Sequence, residues 1–265
     1  MTGSERMLLE KRVAIVSGIG PGMGRDISLA FAREGADVVL AARSKEAVEA
    51  VAVEVRGLGR RALAVATDIA KSTDCKRLVD AARAEFGRID VLVNNAFKGG
   101  VEPEIEQVEM DYWRQVFDVN VFGSMQLSQL VLPHMKAQGG GSIVFINSMS
   151  TRIIEPRMGG YTASKGALMA AAQTLAKEVG KYKIRVNSVV PGYIWSDKLA
   201  GYFRMLAKQQ NTTYEAVYAD ISGRAALNRI PTSEEIADAV VFFASDLSRA
   251  ITGQALDVNG GHFFH

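Results

Sequence analysis

The sequence VAIVSGIGPGMG, residues 13–24, places an apolar run directly before a glycine-rich segment, and a helical pattern follows over residues 25–34. A short run that is apolar throughout is typical of a buried strand. Glycines permit a tight turn in which backbone N–H groups approach a phosphate at a helix N-terminus. Gly18, Gly22 and Gly24 follow a Gly-x-x-x-Gly-x-Gly spacing, since a methionine stands where the commoner fingerprint has its third glycine. A glycine-rich surface turn is the alternative, but the strand–turn–helix context favours a dinucleotide cradle.

Short β-branched runs continue to alternate with longer amphipathic segments along the chain. The predicted strands are residues 13–17, 37–42, 62–66, 89–94, 142–147, 184–190 and 255–258. The predicted helices are residues 25–34, 45–58, 73–86, a long one within 108–137, 163–180, and one that begins at Ser233 with the capping pattern Ser-Glu-Glu-Ile. This order predicts an α/β fold, a doubly wound parallel sheet with right-handed crossovers and helices on both faces.

The 265 residues show no change of composition that would mark a domain boundary, so we predict one domain over residues 1–265. A less regular stretch at about residues 193–230 is predicted to be the substrate-loop region. The charge balance of 31 basic and 29 acidic residues does not favour a nucleic-acid partner. Cys75, the single cysteine, lies on an apolar helix stripe and is predicted to be a core residue.

Targeting and metal signals are not found in the sequence. Its apolar runs fall far short of the roughly 20 residues that span a bilayer, and the N-terminal residues carry charges where a signal peptide has its apolar run. With a single cysteine, this predicts a cytoplasmic protein without a membrane partner. His134, His262 and His265 lack metal-ligand spacing, so no metal site is predicted.

The end of the second predicted strand bears on which nicotinamide dinucleotide is used. An acid at this point binds the 2′-hydroxyl of NAD, whereas an arginine accommodates the 2′-phosphate of NADP. The strand ends with Arg43, while Asp37 begins it and is therefore at the wrong end. NADP(H) is thus favoured over NAD(H), because a guanidinium suits a phosphate. The alternative for Arg43 is a solvated turn residue.

Tyr161 and Lys165 lie four residues apart on the helix after the fifth predicted strand, so both side chains share one helix face. A free tyrosine, with a pKa near 10, is a poor acid at neutral pH. A neighbouring cation lowers that pKa and makes the phenol usable for proton transfer. Ser148 ends the preceding strand, and ligands of doubly wound sheets bind at such strand ends. Also at this edge are Gly18, Arg43, Asp68, Asn94, Asn95, Pro191 and Gly192.

Together these motifs resemble the short-chain dehydrogenase/reductase family over about residues 12–261. The residues that carry the resemblance are Ser17, Gly18, Gly22, Met23, Gly24, Asp68, Asn94, Asn95, Ala96, Asn120, Ser148, Tyr161, Lys165, Pro191 and Gly192. The resemblance implies a Rossmann-type sheet with strand order 3-2-1-4-5-6-7. It also implies an oxidoreductase that transfers a hydride between a nicotinamide cofactor and a CH–OH or C=O group.

The resemblance assigns roles to four predicted catalytic residues. Tyr161 would exchange a proton with the substrate oxygen, and Ser148 would orient that oxygen. Lys165 would hold the nicotinamide ribose and lower the pKa of Tyr161. Asn120 would bind a water that links Lys165 to solvent, and its alternative is a polar residue that kinks the helix.

The same resemblance implies the cofactor contacts. Asp68 and Ile69 would flank the adenine, and Ile194 with Ser196 the nicotinamide carboxamide. The full set is Ser17, Gly18, Gly20, Gly22, Met23, Gly24, Arg43, Asp68, Ile69, Asn95, Ala96, Tyr161, Lys165, Pro191, Gly192, Ile194 and Ser196.

Two positions depart from the family pattern. Ser17 stands where threonine is usual, which keeps a hydroxyl, and Phe97 stands where glycine is usual. The Phe97 ring either narrows the pocket or forms part of its substrate wall, or it simply packs in its loop.

Apolar and aromatic residues in the loop after Ser148 and in residues 193–230 predict a hydrophobic secondary alcohol or ketone as substrate. They are Met149, Ile153, Ile154, Met158, Tyr193, Trp195, Tyr202, Phe203 and Met205, some of which have core or subunit packing as their alternative. A β-ketoacyl thioester reductase is a second hypothesis, in which Lys98, Arg152 and Arg157 meet an acyl-carrier phosphate. A dinucleotide sensor without turnover is a third, which the retention of the tyrosine and the lysine argues against.

Small residues form one face of the helix that carries Tyr161. They permit close helix–helix approach, and related proteins use this helix in dimers and tetramers. A homodimer or homotetramer is therefore expected. The face consists of Gly166, Ala167, Ala170 and Ala171.

Overall fold

Seven parallel strands form one sheet in the computed structural model, which describes residues 7–264. The strands are β1 (Val13–Ser17), β2 (Asp37–Ala42), β3 (Ala62–Ala66), β4 (Val91–Asn94), β5 (Gly141–Ile146), β6 (Ile184–Pro191) and β7 (Ala255–Val258). Their order is β3-β2-β1-β4-β5-β6-β7, which confirms the predicted fold class and order. Ser17 pairs with Ala41 on one side and Asn94 on the other, so the carboxyl ends of the central strands are level.

The helices that connect the strands are α1 (Met23–Arg33), α2 (Lys45–Gly57), α3 (Ser72–Phe86), α4 (Met110–Phe117), α5 (Ser124–Ala137), α6 (Gly159–Val179), α7 (Asp197–Gln209), α8 (Tyr214–Gly223) and α9 (Ser233–Ala244). No helix within residues 7–264 is long and apolar enough to cross a membrane. The single domain over residues 1–265 stays a prediction, and residues 1–6 and His265 lie outside the described residues.

Two apolar clusters lie on opposite faces of the sheet. One joins α1, α2 and α9 to the sheet, and Phe31 is fully buried in it. The other joins α3, α5 and α6, and includes Leu127 and Cys75. Burial raises the pKa of the Cys75 thiol to about 11, and its prediction as a core residue is confirmed.

The prediction of a less regular stretch at residues 193–230 was wrong, because this stretch contains α7 and α8. Side chains cap both helices: the Ser196 hydroxyl accepts from the N–H of Leu199 at 3.2 Å, and Thr213 accepts from Ala216 at 3.1 Å. The two helices pack around the fully buried Phe203 in a third, smaller apolar cluster.

Three details of the helices also needed correction. The long helix predicted within residues 108–137 is interrupted between α4 and α5 by a π-helical turn, Asp118–Gly123. The helix α6 begins at Gly159 rather than at residue 163. The capping residue of α9 is Thr232 rather than Ser233, since Thr232 and Glu235 form the reciprocal capping box.

Candidate active site

The turn after β1 is closed too tightly for a side chain at two of its glycines. Gly18 has a φ of +81°, and a Cβ there would overlap the backbone of Ala96. A Cβ at Gly24 would overlap the carbonyl oxygen of Gly18. Gly22, with a φ of +102°, is the N-cap of α1, and a Cβ at Gly20 would meet nothing within 4 Å. The glycines therefore leave the backbone of this turn uncovered by their own side chains, which fits the close approach of a dinucleotide phosphate.

A cleft of about 270 Å³ lies beside this turn at the carboxyl edge of the sheet. The buried Asn95 donates from its amide nitrogen to the carbonyl of Gly18 at 2.8 Å, while its amide oxygen has no hydrogen-bond partner among residues 7–264. The predicted cofactor residues Gly18, Arg43, Asp68, Ile69, Asn95 and Ala96 line the cleft. The other lining residues are Ile19, Ala41, Ala42, Thr67, Phe97, Lys98 and Val119.

Several predicted cofactor residues use their side chains within the protein. The buried Ser17 hydroxyl donates to the carbonyl of Val93 at 3.2 Å and so joins β1 to β4. Ser196 caps α7, and Met23 and Ile194 pack against the cluster on the α1 side. These four residues do not line the cleft, and their contact with a cofactor stays a prediction.

The end of β6 packs against the loop that follows Ser148. Pro191 is the last residue of the strand, and a Cβ on Gly192 would lie 2.9 Å from Asn259 and 3.3 Å from the sulfur of Met149. This close packing explains a glycine here, although neither Pro191 nor Gly192 lines the cleft.

The predicted catalytic side chains meet at the end of β5. Lys165 is buried on α6, and its Nζ donates to the carbonyl of Ile146, the last residue of β5, at 2.6 Å. The same Nζ lies 5.7 Å from the ring centroid of Tyr161, one turn earlier on α6. A hydrogen bond joins Tyr161 to Ser148, which follows β5 after one residue. A proton donor and a second hydroxyl therefore face one point at the sheet edge.

Burial governs the protonation of this pair. It lowers the pKa of Lys165 to about 7 and raises the pKa of Tyr161, while the hydrogen bond with Ser148 opposes that rise. The lowering of the Tyr161 pKa by Lys165 stays a prediction. The lysine loses much of its charge near neutral pH, and its hydrogen bond goes to a backbone carbonyl instead of the phenol.

Asn120 lies in the π-helical turn and is fully buried. Its Oδ1 accepts from the N–H of Lys98 at 2.7 Å, and its Nδ2 donates to the carbonyl of Lys98 at 2.8 Å and to the hydroxyl of Ser164 at 2.9 Å. The side chain therefore fastens the loop after β4 to α6. The π-helical turn fits the alternative of a polar residue that kinks the helix, and the water-binding role stays a prediction.

Residues 97–99 form one wall of the site. The ring of Phe97 lies edge-on to Tyr161, with centroids 6.2 Å apart, and it lines the cleft while remaining 57% exposed. Gly99 has a φ of +144°, and a Cβ there would lie 2.6 Å from Cδ2 of Tyr161. The sequence analysis missed Gly99, whose signal was the pair Gly99-Gly100 immediately after a bulky dipeptide.

Apolar side chains around this site fall into two groups. Ile154, in the loop before α6, is 71% exposed, and Met205 on α7 is 45% exposed. By contrast, Phe203 is fully buried, and Trp195 packs on Tyr218 with ring centroids 5.4 Å apart. The alternative of core packing therefore holds for Trp195 and Phe203.

Among residues 7–264, no group of three or more His, Cys, Asp and Glu side chains has the arrangement of a metal site. Burial lowers the pKa of both His134 and His262, and His262 stacks on Tyr193 with centroids 6.1 Å apart.

The sequence and the fold match known oxidoreductases. The family described as enoyl-(acyl carrier protein) reductase matches residues 18–262. The 7α-hydroxysteroid dehydrogenase of Escherichia coli K12 is 33% identical over 261 residues, 98% of each chain. A solved structure of a protein of that name, complexed with NADH and 7-oxo glycochenodeoxycholic acid, aligns with a TM-score of 0.88, 33% identity and 98% coverage of each chain.

Two further relatives broaden the range of named activities. The 3-oxoacyl-[acyl-carrier-protein] reductase FabG of Thermotoga maritima is 34% identical over 257 residues, 96% of this chain and 99% of that protein. The L-sorbose reductase of Gluconobacter frateurii, complexed with NADPH and L-sorbose, aligns with a TM-score of 0.91 and 31% identity over 97% of this chain and 98% of that one.

The chain belongs to the short-chain dehydrogenase/reductase family. It is an oxidoreductase of the class that acts on CH–OH and C=O groups with a nicotinamide dinucleotide.

Proposed function

We propose that the protein is an NADP(H)-preferring reductase or dehydrogenase of hydrophobic ketones and secondary alcohols, with Tyr161 as its acid and base. The observation that carries this proposal is the convergence of Tyr161, Ser148 and Lys165 at the end of β5, beside the bare glycine turn. A sensor without turnover would not need a buried phenol linked to a second hydroxyl at the open edge of the sheet.

The chain's own residues manage the proton. In ketone reduction, the hydroxyls of Ser148 and Tyr161 donate hydrogen bonds to the substrate oxygen, and the Tyr161 proton passes to that oxygen as it becomes an alcohol. Because burial raises the pKa of Tyr161, the phenol stays protonated and ready to donate at neutral pH. The bound nicotinamide supplies or accepts the hydride. Lys165 would hold its ribose, and Gly18 with Asn95 would hold the phosphate-bearing part.

The preference for NADP(H) rests on Arg43. This exposed residue follows β2 and lines the cleft, and it forms no ion pair within the described part of the chain. The only acid of β2, Asp37, lies at the opposite end of that strand and pairs with Arg60 at 2.8 Å. A free guanidinium at this strand end suits a 2′-phosphate.

A β-ketoacyl thioester reductase is the second candidate, supported by the matched family and by the relative from Thermotoga maritima. Of the three cations proposed for it, Lys98 lines the cleft, whereas Arg152 and Arg157 have partners within the protein, which weighs against this candidate. The Nε of Arg152 lies 3.6 Å from Oδ1 of Asp257, and both side chains are largely buried. The Nε of Arg157 donates to the carbonyl of Glu102 at 3.0 Å. The exposed apolar side chains of Ile154 and Met205 instead favour a hydrophobic substrate.

A homodimer or homotetramer is part of the proposal. The α6 face that bears Gly166 is open, since a Cβ on that glycine would meet nothing within 4 Å. A cytoplasmic location stays a prediction.

The test is an absorbance assay at the nicotinamide band, run with NADPH and NADH against hydrophobic ketones and 3-oxoacyl thioesters. We expect NADPH-dependent reduction of ketones. Turnover restricted to the thioesters would instead establish the second candidate, and turnover of neither class with either cofactor would overturn both.

A further inference from the structure

Glu102 lies in the loop between β4 and α4 and has no role in the chemistry described above. It is only 4% exposed, and it is the one buried glutamate among residues 7–264. A charged side chain is rarely buried without a specific partner, because removing a carboxylate from water is unfavourable. The contacts of Glu102 therefore show what its burial achieves.

Three hydrogen bonds connect Glu102 to the segment that begins the catalytic helix. Its Oε1 accepts from the N–H of Gly160 at 2.6 Å. Its own N–H donates to the carbonyl of Arg157 at 2.9 Å, and its carbonyl accepts from the Nε of Arg157 at 3.0 Å. Glu102 thus joins the loop after β4 to the loop after β5, and it satisfies a free N–H in the first turn of α6.

Trp113 on α4 closes the same turn from another side. A Cβ on Gly159 would lie 2.8 Å from Cζ2 of Trp113, and a Cβ on Gly160 would lie 2.8 Å from Cδ1. The two glycines therefore let the indole and the carboxylate reach the backbone together. A negative charge is also favourable at this end of a helix, since the free N–H groups and the helix dipole attract it.

We propose that Glu102 is a positioning residue for the reaction: it fixes the first turn of α6, and through it the side chain of Tyr161. Gly160 directly precedes Tyr161, so a displacement of that N–H moves the phenol with it. Misplacement of a reacting group by about 1 Å costs about 10²-fold in rate. This proposal rests on the proposed role of Tyr161 as proton donor.

The test compares three substitutions at Glu102. Glu102→Gln keeps an oxygen that can accept from Gly160, whereas Glu102→Asp keeps the charge on a side chain one methylene shorter. Glu102→Ala removes the acceptor. The matched control is Glu104→Ala, because Glu104 is an exposed glutamate in the same loop.

We expect kcat for ketone reduction to fall about 10²-fold in Glu102→Ala and at least about 10-fold in Glu102→Asp, with the NADPH dissociation constant within about 2-fold of the wild-type value. Glu102→Gln and the control should stay within about 3-fold in kcat. Hydrogen exchange at residues 159–165, measured without substrate, should quicken in Glu102→Ala and Glu102→Asp but not in Glu102→Gln.

Wild-type kcat in Glu102→Asp, or a loss in Glu102→Gln as large as in Glu102→Ala, would overturn the positioning role. If Glu102→Ala does not fold, the aspartate and glutamine variants still decide the outcome. The exchange measurement needs no activity, so a failure of the proposed function is distinguishable from a failure of this proposal.

Discussion

The glycine turn and the α7–α8 region are packed in opposite ways. At the turn, a single methyl group on Gly18 or Gly24 would overlap neighbouring backbone. On the substrate side, a Cβ on Gly201 of α7 would meet nothing within 4 Å, and Ile154 and Met205 expose much of their side chains. Backbone geometry thus constrains the turn that we propose holds the cofactor, while exposed side chains cover the surface that we propose meets the substrate.

This difference explains how one scaffold serves different substrates. Named relatives that align over nearly the whole chain include a hydroxysteroid dehydrogenase and a sorbose reductase. Substitutions on the cofactor side should therefore change rate or cofactor affinity strongly. Those on the substrate side should change substrate preference with little effect on the cofactor.

Among substitutions outside the proton-transfer residues, the largest effect is expected for Gly99→Ala. An added methyl would lie 2.6 Å from the Tyr161 ring at a φ of +144°, so the loop or the phenol must move. We expect kcat to fall about 10²-fold. Gly100→Ala is the matched control, because its Cβ would meet nothing within 4 Å. Equal kcat values for the two variants in the ketone assay would refute the contact as a constraint on catalysis.

Arg43→Ala should separate the two cofactors. Loss of a charge-assisted contact with the 2′-phosphate is expected to weaken NADPH binding about 10-fold and to leave NADH binding within about 2-fold. Fluorescence titration with each cofactor measures both constants. The exposed Lys45, two residues away and outside the cleft lining, provides the control variant Lys45→Ala. Equal losses for NADPH and NADH would rule out the phosphate assignment.

The pH dependence of kcat/KM for NADPH should report Lys165, because this parameter follows groups of the free enzyme. The pKa of Lys165 is lowered to about 7, so the ammonium is present below that pH and lost above it. We expect a several-fold fall between about pH 6 and about pH 8.5, as the ribose loses a charged donor. Lys165→Met should show a lower value without this limb. A flat wild-type profile would contradict the assignment.

The smallest effect is expected from Ile154→Ser on the substrate side. Removing exposed apolar surface should raise KM for a hydrophobic ketone about 3-fold to 10-fold while the NADPH dissociation constant stays unchanged. Leu247→Ser, which alters an exposed leucine outside the cleft lining, is the comparison variant. A change in NADPH affinity as large as the change in KM would show that the two sides are not separate.

Local sequence patterns predicted the strands well because most of them are buried apolar runs separated by turn signals. The strand order followed only from the resemblance to the family. The shared helix face of Tyr161 and Lys165 followed from their spacing of four residues, and the place of Ser148 beside them followed from its position at a strand end. The capping residue of α9 was misplaced by one position, since Thr232 and Ser233 are equally good caps by residue type.

The sequence did not predict the features that depend on contacts between distant segments. The π-helical turn at Asn120 is tied to hydrogen bonds with Lys98 and Ser164, which no periodicity reveals. The sequence does not single out Glu102, because a glutamate in a polar loop is expected to be solvated. Only the structure shows its contact with Gly160. The pKa values of Tyr161 and Lys165 also depended on burial, whereas spacing alone suggested charge coupling.

The most direct test of the central claim is the turnover of Tyr161→Phe with NADPH and a hydrophobic ketone, measured beside its NADPH dissociation constant. Removing one hydroxyl group leaves the ring packing against Phe97 and Gly99 in place and deletes only the proton donor. We expect a loss of about 10³-fold in kcat, with the NADPH dissociation constant within about 2-fold of the wild-type value. Turnover near the wild-type rate would contradict the assignment of Tyr161 as the acid and base.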